Sequence, residues 1–475
     1  VAASSTLDLA GRAGRGSGKL VEVMTAIVVT AVLGVLLFLL AARRPQWGLI
    51  AVAALVPFHG LLLIMPVAAP FWKEAAVLAV ATAGFFASRP RERFTVAPWL
   101  TPALVLVLAG AVSALVVLGT AAAFPVKIAF FYLIPAVVVY FFPFTRADKD
   151  LLVSVLMGTG LFSALFGLWQ QVAGGYRLAT LGYEWNEQIR TAGPLLRSFG
   201  TFNQPFPFGF YMMLVLTVAG AAALAQPGRL RSRLFWVTAP ILLLAMASSV
   251  VRASFLGLLV AVVVVGVVLH RRLLGYFAAL LGVALFLVPV ALLADRQGVL
   301  ATMVSSSSLQ QRGGHWSLTL PQMLVRPFGG GLGTTGSSAE KVAETVGPLV
   351  RVYQPDNQYL KIGLELGVWG LFLYGVVVAV AVVVLRRLIR VQEDVFERGF
   401  TAGVLGVTVA ACVAAGFSTY LEIFPLDFYF WLLLACAASV SRGEAALVGG
   451  WSPVGRPVPV VTVPPSWKGR RDGVP

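Results

Sequence analysis

The stretch Leu234–Leu269, LFWVTAPILLLAMASSVVRASFLGLLVAVVVVGVVL, holds a single charged residue, Arg252. A helix needs roughly 20 apolar residues to cross a bilayer, so this run is too long for one span and about right for two. The expected path crosses through Leu234–Ala247, turns near Ser248–Val251 and returns through Ala253–Leu269. Arg252 then stands at a helix end. An ionisable group at membrane depth is costly and usually faces a partner or a pathway; at that helix end it could hold an anion at the bilayer surface.

Working outward, the same apolar character recurs along the whole chain of 475 residues, of which 59% are hydrophobic and 12% charged. Too little polar surface remains to cover an ordinary soluble core. Apolar runs fall at Val21–Ala41, Trp47–Val67, Glu74–Ser88, Leu100–Thr120, Phe124–Phe144, Leu151–Val172, Phe206–Ala225, the two halves of the opening stretch, Leu273–Leu293, Tyr359–Leu385, Thr401–Gly416 and Pro425–Ser439. The expected fold is therefore all-α, a polytopic membrane bundle of about 12 or 13 helices with a long, partly helical extracytoplasmic loop.

A net charge of +16 raises nucleic acid as a partner, but the positions of the charges argue against it. They cluster in short loops between spans: Arg89, Arg91 and Arg93; Arg229, Arg231 and Arg233; Arg271 and Arg272; Arg386, Arg387 and Arg390; then Arg442 and the tail. Alternation with poorly charged loops is the positive-inside pattern, with contact to anionic lipid as its second role. It sets the C-terminus in the cytoplasm and three segments outside: Gly174–Gln204, the Ser248–Arg252 turn and Ala294–Asn357. The N-terminus does not fit. Thirteen spans counted back from the C-terminus leave it outside, whereas Arg12, Arg15 and Lys19 favour it inside. Val21–Ala41 reads as a retained first helix, because its apolar core is too long for a cleaved signal.

The resulting organisation is a disordered tail over 1–20, a transmembrane bundle over 21–293 that carries the external segment 174–204, an external loop over 294–357, transmembrane helices over 358–441 and a disordered cytoplasmic tail over 442–475. Cys412 and Cys436 lie within spans and read as core residues, and the histidines lack metal-ligand spacing. His59, after Pro57, reads as a packing or kink residue. Asp148-Lys149-Asp150 is a nominal acidic pair in an expected cytoplasmic loop and reads as a solvated charge cluster. No metal and no cofactor are expected.

Chemistry must come from the external segments. The first ends in Arg197-Ser-Phe-Gly200-Thr-Phe-Asn203-Gln-Pro205, the second is the Arg252 turn, and the third holds Arg312-Gly-Gly-His315-Trp316 and Arg326-Pro-Phe-Gly329-Gly-Gly-Leu-Gly333. Each brings at least one arginine to the membrane surface, and a guanidinium grips phosphate through a planar, always-charged fork. Glycines near Gly329–Gly333 would let the backbone approach an anion, although such a loop is more often a connector. Tyr176, Tyr183, Trp185, Trp316 and Tyr353 could stack on sugars or serve as interfacial anchors.

Taken in order, these fragments with Ser249-Val-Val-Arg252-Ala-Ser-Phe-Leu256-Gly, Asp356-Asn357-Gln-Tyr359-Leu360 and Glu365-Leu-Gly367 resemble the O-antigen ligase and O-antigen polymerase superfamily. The resemblance spans about Arg197 to Gly370. It implies a metal-independent membrane glycosyltransferase of the GT-C type in the bacterial inner membrane, working on the extracytoplasmic face. Its donor would be a glycan on polyprenyl (undecaprenyl) diphosphate, its acceptor a glycan, a lipid core or a protein hydroxyl, and membrane lipids its surroundings. By resemblance Arg197, Arg252 and Arg312 stand at diphosphate-binding positions, and Asn203, Asn357, Tyr359 and Trp316 are expected to contact substrate. The family's motif at the end of the long loop commonly begins with histidine, where this chain has Asp356. Asp356 is expected either as the base or as a cap of the helix near Gln358, with His315 as a substitute base. A transporter or flippase of lipid-linked glycans is the alternative, though it would call for paired broken helices or a repeat, and neither is visible.

Overall fold

The computed structural model describes residues 2–65, 68–88, 93–193, 195–272, 274–275, 316–317, 319–346 and 355–449. It is an all-α membrane bundle. Eight helical segments among the described residues are long and apolar enough to span a bilayer, and Arg252–Val268 and Leu426–Ala437 are shorter apolar helices.

In chain order the helices are α1 (Ala2–Arg43), α2 (Pro45–Leu55), α3 (His59–Ile64), α4 (Trp72–Ala83), α5 (Leu100–Leu118), α6 (Ala123–Phe130), α7 (Ile134–Phe141), α8 (Arg146–Thr180), α9 (Pro205–Ala225), α10 (Leu230–Ser248), α11 (Arg252–Val268), α12 (Gly336–Val346), α13 (Gln358–Val391), α14 (Val395–Ala415), α15 (Leu426–Ala437) and α16 (Arg442–Gly449). Two short antiparallel pairs accompany them: β1 (Arg93–Thr95) with β4 (Ser439–Ser441), and β2 (Thr191–Ala192) with β3 (Leu195–Leu196). The expected span Leu273–Leu293 lies outside the described residues apart from positions 274 and 275. Helix α1 takes in most of the segment expected to be an unstructured tail, and its membrane-crossing part is Val23–Arg43.

The expected turn in Leu234–Leu269 falls where the sequence predicts, since α10 ends at Ser248 and α11 begins at Arg252. Glu74–Ser88 shrinks to the 12-residue α4, too short to cross by itself at 1.5 Å per residue. Helix α9 is apolar on every side, which marks a helix enclosed by others; 89% of its span is buried, against 17% for α1. The centre of the bundle is accordingly α9 and α14, with α8, α10, α11 and α13 packed around them.

Ion pairs gather the arginine-rich loops at one end. Lys149, fully buried, sits 2.8 Å from Glu397 and donates to the Ser439 carbonyl at 2.7 Å, while Arg93 reaches the other Glu397 oxygen at 2.7 Å. Arg44 pairs with Asp148 at 3.0 Å, Arg146 with Asp394 at 2.9 Å, and Asp150 with both Arg229 and Arg231. This corrects the reading of Asp148-Lys149-Asp150 as a solvated cluster: Asp148 caps α8 through Thr145 and is buried with Lys149, because three helix starts and a strand pair converge on it. Arg44 at this end also means that α1 runs toward the arginine-rich loops.

Candidate functional site at the opposite end

At the far end, α8 is broken at Gly174, and residues 175–204 form a compact cap. Tyr183, Ile189, Leu196 and Phe199 pack with Leu178 against Leu61 and Ile64 of α3. Tyr183 is enclosed and meets Phe199 edge to face, and burial raises its phenol to about 12, so it serves packing; Tyr176, 85% exposed, meets Trp185 edge to face.

Two glutamines in the apolar face of α8 fix the strand that carries Arg197. The buried Gln170 accepts from the Phe199 and Gly200 amides at 3.0 and 2.9 Å and donates to the Gly200 carbonyl at 2.9 Å. Gln171 donates to the Leu196 carbonyl and to Ser198 Oγ, both at 2.7 Å. Thr201 bonds Ser163 at 2.6 Å and the Pro57 carbonyl at 2.7 Å. Gly200 turns with φ +55°, and a Cβ there would lie 2.5 Å from the Phe208 ring, so the turn needs glycine. Asn203, half-buried, follows at the bend before α9.

Arg197 is thereby held at the end of β3. Its amide donates to the Arg190 carbonyl at 2.8 Å, its Nε donates to the Ser249 carbonyl at 3.3 Å, and its guanidinium lies 5.8 Å from the Phe206 ring centroid. Burial, and then the charges of Arg190 and Arg252, push its pKa down. It remains a cation at neutral pH, since a guanidinium does not deprotonate in proteins. Arg252, exposed, opens α11 three residues after the carbonyl that Arg197 holds, and Val251 supplies no side-chain cap to that helix start. Two guanidiniums and the positive end of a helix therefore converge, which is an anion-binding arrangement.

The start of α13 lies at the same end. Asn357, not Asp356, caps this helix, accepting from the Tyr359 and Leu360 amides at 2.9 and 3.1 Å and donating to the Gly416 carbonyl at 3.0 Å. That removes the capping role from Asp356, which is exposed immediately before it. Tyr359 donates to the Cys412 carbonyl at 2.6 Å. Both Asn357 and Tyr359 thus bind α13 to α14. Trp316 is half-buried at the start of a short helical stretch, whereas Arg312, His315 and Tyr353 lie outside the described residues.

The glycine run serves the protein rather than an anion. Gly330 and Gly331 donate to the Leu364 and Glu365 carbonyls at 2.7 and 2.9 Å, and Val368 donates to the Pro327 carbonyl at 3.0 Å. The partner is a break in α13 at Gly367, with φ 68° and ψ −164°. A Cβ on Gly367 would sit 1.9 Å from the Pro327 oxygen.

Below this break lies a buried charge cluster that the sequence reading left aside. Lys361 bonds Glu422 and Ser338 (3.1 Å to the latter) and stands 3.8 Å from Glu365, whose Oε1 accepts from Gly333, Thr335 and the Thr335 hydroxyl at 3.0 to 3.1 Å. The signal was present: a lysine and a glutamate four apart at the head of an apolar run face one way on a helix. His59 is buried against the Trp72 and Phe424 rings, as a packing residue would be. No group of three potential metal-ligating side chains occurs among the described residues.

The fold defines a polytopic helical membrane protein, with Arg197 and Arg252 gathered at the end of the bundle opposite the arginine-rich loops. Residues 237–375 match the family described as O-antigen ligase, which supports the O-antigen ligase and polymerase superfamily for this chain. The matched region takes in the Arg252 turn, the glycine run and the α13 break, while Arg197 precedes it. No curated protein matches the chain.

Proposed function

We propose that the protein transfers or polymerises a cell-envelope glycan from a polyprenyl-diphosphate carrier onto an acceptor hydroxyl, on the face opposite the arginine-rich loops, in the bacterial inner membrane. The observation that carries this reading is the convergence of Arg197 and Arg252 through Ser249 at the uncapped start of α11. Cationic, partly desolvated groups of this kind stabilise a leaving diphosphate more than they would in water.

In the reaction the acceptor oxygen forms a bond to the anomeric carbon as the bond from that carbon to the diphosphate oxygen breaks. The electron pair leaves with the lipid diphosphate, between the two guanidiniums. The acceptor proton passes to a base, and Asp356, exposed directly before the Asn357 cap of α13, is the residue assigned to it. Arg312 and His315 belong to the same loop and are assigned a further diphosphate contact and a reserve base. Asn203 and Trp316 are assigned to the glycan, and Asn357 and Tyr359 contribute by holding the α13 start. The sum of positive charge replaces a metal ion as the stabiliser of the leaving group.

The test is incubation of purified protein with a polyprenyl-diphosphate glycan, with and without a second acceptor. Chain lengthening without added acceptor indicates a polymerase, and release of lipid diphosphate only with acceptor indicates a ligase. Neither product, with the glycan moved between leaflets of a vesicle, would overturn the enzyme reading in favour of a transporter.

A further inference from the structure

A cavity of about 840 Å³ opens at the arginine-rich end, between the ends of α9, α11 and α13 and the start of α14. Its charged lining is Arg271, Arg386, Arg390 and Arg398 with His270. Arg386 and Arg390 are four apart and so project from one face of α13. None of the four arginines has a carboxylate within ion-pair distance among the described residues, in contrast to the neighbouring Arg93, Arg146, Arg229 and Arg231.

Helix ends do not account for this charge. Three helix C-termini contribute roughly half a negative charge each and one N-terminus roughly half a positive charge, about −1 in sum. Against four guanidiniums about three positive charges remain. The space is also far larger than a small ion fills, and falls in the range, roughly 300–1,000 Å³, that holds an organic ligand. Leu224, Val267, Val268 and Ile389 give it apolar walls. Arginines from α13, from α14 and from the segment just after α11, above apolar walls, fit an amphiphile whose anionic head carries more than one phosphate.

We propose that this cavity is a binding site for a diacidic phospholipid of the cardiolipin type, with its two phosphates shared among Arg271, Arg386, Arg390 and Arg398 and its acyl chains against the apolar wall. Basic pockets between transmembrane helices recognise such headgroups. The site is at the opposite end of the bundle from Arg197 and Arg252 and does not rest on the glycosyltransferase reading.

The full chain is tested in detergent by native mass spectrometry after addition of cardiolipin, phosphatidylglycerol or phosphatidylcholine. Cardiolipin is expected to be retained at least tenfold more than the other two. The four-fold variant R271Q/R386Q/R390Q/R398Q is expected to lose that preference, while R233Q/R442Q, on the same side but outside the cavity, keeps it. A photoactivatable cardiolipin on wild-type protein, which needs no variant, is expected to label the segments Leu224–Pro227 and Val267–Arg271. Equal retention of phosphatidylglycerol, an unchanged preference in the four-fold variant, labelling elsewhere, or occupation by inorganic pyrophosphate without lipid retention would each overturn the proposal.

Discussion

The Arg197 Nε donates to the Ser249 carbonyl at 3.3 Å, which ties the strand before α9 to the turn that launches Arg252. The two arginines are far apart in sequence and close in chemistry. Burial first, then the charges of Arg190 and Arg252, lower the pKa of Arg197, and an anion at this position relieves the cost of its buried charge. Arg197→Lys keeps a cation but loses the planar fork and the Nε bond. Transfer is expected to fall by roughly 100-fold with normal protein yield. Initial rates on a polyprenyl-diphosphate glycan check this, and wild-type rates for the lysine variant would leave Arg197 a topological residue.

Gln170 determines where Arg197 can point. Gln170→Leu strands two amides and one carbonyl in a buried site, at about 1–3 kcal/mol for each unsatisfied group. The variant is expected to unfold at clearly lower temperature and to lose transfer. Gln170→Glu keeps the acceptor for both amides but loses the bond donated to the Gly200 carbonyl and buries a carboxylate, so it is expected to melt below wild type. A Gln170→Leu protein as stable as wild type would contradict the network.

The break at Gly367 is a docking point. A side chain at φ 68°, ψ −164° occupies a region essentially restricted to glycine, at a cost of about 1–3 kcal/mol, and here it also meets the Pro327 oxygen. Gly367→Ala is expected to release residues 327–333 from α13. Limited proteolysis reads this directly: faster cleavage near Phe328 is expected, and an unchanged digestion pattern would count against the docking.

Lys361 is buried between Glu422 and Glu365. Lys361→Met leaves their charges without a cation and is expected to destabilise the fold by about 3–5 kcal/mol. Replacing the pair together, as Lys361→Met with Glu422→Leu, is expected to recover much of that loss. Thermal unfolding in detergent separates the outcomes, and a single variant that melts with wild type would show the cluster to be energetically idle.

Periodicity and charge placement made most of this fold readable from sequence. The turn before Arg252 needed only span length, and the gathering of basic loops needed only their alternation. What escaped was whatever depends on contacts between distant segments. Asp148-Lys149-Asp150 looks solvated in a linear chain because Glu397 and Arg44 are remote in it. The glycines at 329–333 look like a connector in a linear chain, and their docking on α13 shows only once Gly367 is brought against them. The bonds from Asn357 and Tyr359 to the Gly416 and Cys412 carbonyls, which join α13 to α14, leave no trace in side-chain chemistry. Gln170 and Gln171, polar residues inside an apolar run, were a usable signal, since such groups need partners.

The central claim is that Arg252 belongs to a diphosphate clamp. The most direct measurement is the transfer rate of purified Arg252→Ala and Arg252→Lys proteins on a polyprenyl-diphosphate glycan, beside their melting temperatures. The alanine variant is expected to fold normally and to lose transfer by roughly 100-fold or more, with the lysine variant also strongly impaired. Near-normal turnover by Arg252→Ala would contradict that claim and return Arg252 to marking the edge of a span.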